Sequence, residues 1–78
     1  MPPTLSEFLE VLSETFASGV EVKADTHFRE MEDWSSMQAL IVIATIDEHF
    51  GITIPEKDFR KAQRFEDLFE LTKTLKNG

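Results

Sequence analysis

The sequence predicts an all-α fold: a bundle of four helices with a long first loop and a short third helix. Three observations predict it. Apolar residues recur at the 3.6-residue period of a helix through residues 4–16, 36–50 and 65–75. A capping hydroxyl followed three positions later by Glu or Gln stands at the start of the first two of these segments. The β-branched run Ile52-Thr53-Ile54 could pass for a strand but has no partner strand in the chain.

The first helix covers about residues 4–16. Leu5, Phe8, Leu9, Leu12 and Phe16 form one stripe, and Thr4 with Glu7 makes a capping box. Pro2 and Pro3 keep the helix from extending backward. Residues 17–34 break every period and form a loop longer than most connections in a compact domain. Phe28 and Met31 pin that loop to the core, and Trp34 packs beneath its end. A loop of this length positions something, and it delivers the chain to Ser36.

The second helix covers 36–50, with Ser35 and Gln38 as a capping box and Gly51 as its terminator. Assigning the cap to Ser35 leaves the hydroxyl of Ser36 free at the first helical position. Ile52 to Pro55 is an extended linker. Pro55 suits the start of a short third helix, about 56–62, anchored by Phe59. The fourth helix covers about 65–75, with Phe65, Leu68, Phe69, Thr72 and Leu75 inward. Lys73 and Lys76 suit its C-terminal dipole, and Asn77-Gly78 stops it.

The second helix carries more apolar residues than one face can use. Ala39, Val42, Ile43, Ile46 and Phe50 follow the inward period. Met37, Leu40, Ile41 and Ala44 are then left on the outer face beside Ser36, as a protein-docking patch or as part of a wider core.

The 78 residues make a single domain, 1–78, whose core supplies about 3–5 kcal/mol. A net charge of −7 repels nucleic-acid phosphates and anionic membranes and favours basic protein surfaces, or serves solubility alone. The chain has no cysteine, no signal-peptide pattern and no apolar run able to span a bilayer, which points to a cytoplasmic monomer. It has no metal-ligand cluster either; the acids Glu30, Glu32 and Asp33 lack calcium-loop spacing.

Ser36 is the residue best placed for chemistry. A phosphate ester there gains from the positive end of the helix dipole and the free N–H groups. His27 and His49 both lie away from it in sequence, so Ser36 has neither a base nor an oxyanion hole. It reads as an attachment point, not a nucleophile of a hydrolase, and the chain reads as no enzyme.

Several segments resemble the acyl carrier protein family. Ser36-Met37 is similar to its serine-leucine motif, and Ile46-Asp47-Glu48-His49-Phe50-Gly51-Ile52-Thr53-Ile54-Pro55 to its helix end and isoleucine-proline linker. Asp25-Thr26-His27-Phe28 resembles its loop signature, and Phe65-Glu66-Asp67-Leu68 the start of its last helix. The resemblance covers nearly the whole chain. It implies an acyl-carrier-like bundle in which Ser36 carries 4′-phosphopantetheine, added from coenzyme A by a phosphopantetheinyl transferase. The arm's thiol would hold acyl intermediates as thioesters for acyl-loading and acyl-transferring enzymes, as in fatty acid or lipid biosynthesis.

The chain departs from the family at two places. Ser35 stands where the family has Asp before the serine, and Met37 where it has Leu. Gln38 and Ile41 occupy helix positions where acids are expected, leaving Asp47 and Glu48. The partner-facing set is then Ser35, Met37, Gln38, Leu40, Ile41, Ala44, Asp47 and Glu48, with the apolar members gaining weight. The reading from another class is an unmodified acidic adaptor that binds one protein through the apolar face of the second helix.

Overall fold

A computed structural model describes residues 4–17 and 19–77, without the side chains of Lys76 and Asn77. It holds four α-helices: α1 (Leu5–Ser13), α2 (Ser36–Phe50), α3 (Glu56–Lys61) and α4 (Phe65–Asn77), with a 3₁₀ turn at Phe28–Glu30 inside the long loop. The order and number agree with the sequence reading. The roles expected of Pro2, Pro3, the Lys76 side chain and Gly78 lie outside the described residues.

Helix α1 begins as expected, with Thr4 Oγ1 accepting from the Glu7 N–H at 3.1 Å. It ends three residues early. Ser13 and Thr15 turn their hydroxyls back onto the carbonyls of Glu10 and Leu12, each at 2.7 Å. Such back-bonding competes with the helix ladder, and the chain tightens: Thr15 and Phe16 donate to Leu12 and Ser13 carbonyls three residues back. Phe16 still reaches the core from this tightened turn. Helix α3 stops one residue short of expectation and α4 runs two beyond it.

The core is built from phenylalanine. Phe8, Phe28 and Phe65 are fully buried with Leu12, Val42, Ile46 and Leu68. Phe8 stacks on Phe50 at 5.7 Å and meets Phe69 edge-on at 5.5 Å, joining α1, α2 and α4. Phe28 lies 5.4 Å from Phe65, 5.7 Å from Phe59 and 4.7 Å from Trp34, joining the loop to α3 and α4. Thr72, the one buried polar residue among those described, donates its hydroxyl to the Phe69 carbonyl at 2.6 Å.

The linker runs extended and unpaired, with Ile52 and Ile54 buried and Thr53 exposed. Backbone pairing occurs elsewhere, between segments that no sequence pattern marks as partners. His27 and Arg64 form an antiparallel bridge. Around it Phe28 N–H donates to the Gln63 carbonyl at 3.1 Å, Phe65 N–H to Thr26 at 3.3 Å and Glu66 N–H to Ala24 at 2.9 Å. The long loop is thus stitched to the start of α4.

Asp67 completes that junction. Its carboxylate accepts from the backbone N–H groups of Arg64 at 2.9 Å and Gln63 at 3.0 Å, donors left without helical partners. These bonds favour the ionised form and hold the carboxyl below its ordinary value. A depressed folded-state pKa contributes stability that is fully present above the unfolded value, about 4, and is lost as pH falls through the folded value. Urea midpoints of the wild type should therefore drop on acidification below about pH 4 more steeply than those of Asp67→Asn, whose cap does not titrate. Parallel curves for the two proteins would contradict this role.

Candidate functional site

Helix α2 starts where the loop ends. Ser35 is extended at φ −155° and its Oγ accepts from the Gln38 N–H at 3.1 Å, so it is the N-cap. Ser36 follows at the first helical position, exposed, and its hydroxyl makes no hydrogen bond among the described residues. The first turn of α2 holds no acid, whereas those of α1, α3 and α4 all do. At the far end Gly51 closes α2 in the left-handed conformation, φ 67°, with its N–H on the Asp47 carbonyl at 2.9 Å. An L-residue there would be strained, which is why glycine terminates this helix.

Only the forward half of the Ser35–Gln38 capping box forms. Gln38 does not reach back to Ser35. Its Nε2 donates instead to the carbonyl and the hydroxyl of Thr15, at 3.0 and 3.1 Å. The cause lies in α1: its early end leaves the Thr15 carbonyl without a helical donor, and Gln38 supplies one. Gln38 is therefore half-buried, with its amide turned toward α1.

The outer face of α2 is apolar and exposed. Met37 is 68% exposed, Leu40 64% and Ile41 40%, and Ala44 lies open beside them. Val42 and Ile46 are buried on the opposite face, with Ala39, Ile43 and Phe50 packed against the core. Asp47 and Glu48 are exposed one turn or more beyond the apolar patch.

Between α2 and α3 runs a groove of about 570 Å³. Ser36, Ala39, Leu40 and Ile43 line it from α2, and Glu56, Phe59 and Arg60 from α3. Ile54 of the linker and Ser35, Trp34 and Arg29 of the loop complete it. Trp34 is half-buried, with its ring near those of Phe28, Phe59 and Phe16, so it packs under the loop as the sequence suggested.

Arg29 was not legible from the sequence. Its Nε donates to the Ala62 carbonyl at 2.9 Å and its Nη2 to the Phe59 carbonyl at 2.7 Å, capping the C-terminal end of α3. The guanidinium lies 5.2 Å from the Phe28 ring centre and 5.5 Å from that of Phe59. Both carbonyls are some thirty residues downstream, and nothing in a loop of mixed charges marks one arginine for them.

No histidine lines the groove. His49 is exposed at the end of α2, and His27 sits at the bridge to Arg64 with its Nδ1 buried and unpartnered. Among the described residues no group of three or more His, Asp or Glu side chains is arranged to hold a metal ion, and no helix is long and apolar enough to cross a membrane.

A small helical bundle that presents an unengaged serine at a helix start, beside an apolar groove, has the features of a carrier for a covalently attached group. Compared with known families, the chain matches the one described as "Phosphopantetheine attachment site" over residues 4–72, and it belongs to that family. Domains of this family carry 4′-phosphopantetheine covalently, and the all-α bundle expected from the sequence is the fold found. No curated protein and no solved structure matches the chain.

Proposed function

We propose that Ser36 is the attachment serine and that the protein, acting as a carrier and not a catalyst, presents acyl intermediates to biosynthetic enzymes in the cytoplasm. The observation that carries this reading is the division of labour between adjacent serines. Ser35 spends its hydroxyl on the Gln38 N–H, and Ser36 keeps its own exposed at the mouth of the groove. Attachment would join Ser36 Oγ to the phosphorus of coenzyme A that bears the pantetheine. The bond from that phosphorus to the adenosine bisphosphate breaks, and the serine proton passes to a base on the transferase. The attached group supplies a terminal thiol that forms thioesters with acyl groups. Ser36 fixes the arm's origin, and Ala39, Ile43, Ile54 and Phe59 offer its cargo an apolar lining.

Intact-mass measurement after reaction with coenzyme A and a broad-specificity phosphopantetheinyl transferase tests the assignment. One adduct is expected in the wild type and in Ser35→Ala, and none in Ser36→Ala. An adduct that survives Ser36→Ala would move the site. Absence of any adduct would favour the unmodified adaptor instead.

The exposed Met37, Leu40, Ile41 and Ala44 form the surface by which we expect partner enzymes to dock, with Asp47 and Glu48 as its charged end. Two facts support an apolar emphasis: α2 has no acid in its first turn, and large apolar side chains held open to water on a monomer commonly mark an interaction site. Ile41→Asp should slow transfer of the arm to Ser36 more than charge reversal of both Asp47 and Glu48 does. The opposite order of rates would assign recognition to the acids.

A further inference from the structure

We propose that Arg29, with Arg60, holds the phosphodiester of the covalent arm against the groove between α2 and α3, so that the arm rests docked on this protein between partners. The inference rests on the assignment of Ser36 as the attachment site. Its own ground is a guanidinium that is fixed in place, charged and without a counter-ion among the described residues, in the groove that Ser36 lines.

Arg29 is immobilised by two backbone carbonyls and two aromatic rings. None of these partners carries a charge. The ion pairs among the described residues are Lys23–Glu21, Arg60–Glu56 and Lys73–Glu70, and none involves Arg29. Its Nη1 makes no hydrogen bond among the described residues, so donors remain for a further acceptor. In a chain of net charge −7, the groove holds two arginines and one carboxylate, Glu56.

Glu56 does not cancel this excess firmly. It pairs with Arg60 at 2.7 Å across one turn of α3, with both side chains about three-quarters exposed. Such a pair contributes little and exchanges readily, so Arg60 is free to turn to a stronger acceptor. A phosphodiester is that acceptor, because the guanidinium fork matches two of its oxygens. A rigid Arg29 and a mobile Arg60 would then act as the fixed and adjustable sides of one clamp.

The competing explanation is that Arg29 only caps α3. Phosphorus NMR of the modified protein separates the two. The arm is loaded from coenzyme A and left with a free thiol, so that its phosphodiester is the only added anion. In the wild type the phosphorus line should be broad, shifted from that of the same modified protein unfolded in urea, and sharpened by raising salt from about 0.02 to about 0.5 M. Arg29→Gln/Arg60→Gln should narrow it several-fold and bring its shift to that of the unfolded, modified protein. Arg29→Lys keeps the charge but loses the fork and its anchorage on the α3 carbonyls, so it should retain only part of the broadening, the part that salt removes.

Should the double variant fail to fold, Arg60→Gln and the salt series on the wild type give the same comparison. A wild-type line already sharp, unshifted and indifferent to salt overturns the proposal. So does Arg29→Lys behaving as Arg29→Gln while Arg60→Gln changes nothing, since that outcome reports the cap alone. Failure of Ser36 to take the arm at all is seen in the mass, and it removes the carrier reading and this inference together.

Discussion

Phe28 is the side chain on which the rest of the structure depends. It is fully buried although it sits in the middle of a long loop, and its ring meets Trp34, Phe59 and Phe65 within 4.7 to 5.7 Å. A domain of this size has about 3–5 kcal/mol of stability to distribute, and removing a buried phenylalanine costs about that much. The same residue donates its N–H to Gln63 and begins the 3₁₀ turn that leads toward α2. Loop position, α3 packing and the start of α4 are therefore one cooperative unit, and the loop's end at Ser35 and Ser36 inherits its precision.

From that anchor the site follows by short steps. Trp34 lies on Phe28 and Phe59, which fixes the residue before the N-cap. Ser35 then meets the Gln38 N–H, and Ser36 follows, exposed and without a hydrogen-bond partner among the described residues. Gln38 ties the first turn of α2 to Thr15 at the end of α1, so the helix start is held from both sides. Arg29, next to Phe28 in the chain, closes α3 and faces the same groove. One aromatic cluster thus sets a serine, a groove and a cation in register.

Much of this was legible in the sequence because it is written locally. Helical period, the caps at Thr4 and Ser35, the glycine after Phe50 and the unpaired linker each depend on residues within a few positions. The separation of α2 into a buried face with Val42 and Ile46 and an open face with Met37 and Leu40 followed from the same period. What was missed is non-local. The early end of α1 depends on two hydroxyls choosing carbonyls over water, and Gln38 responds to that end from twenty-three residues away. The pairing of residues 24–28 with 63–66 and the Arg29 cap on α3 join segments some thirty to forty residues apart. No short-range pattern encodes such contacts; they exist only once the aromatic core has assembled.

The central claim is that aromatic packing of the loop, and not the helix start alone, makes Ser36 available for modification. The rate at which a transferase loads Ser36 in Trp34→Ala, compared with wild type at a temperature where both have the same helical circular dichroism, tests it most directly. The account predicts loading slowed several-fold in the variant, with the adduct still on Ser36. Equal rates in the two proteins would show that Ser36 is presented by α2 without help from the loop, and would contradict it.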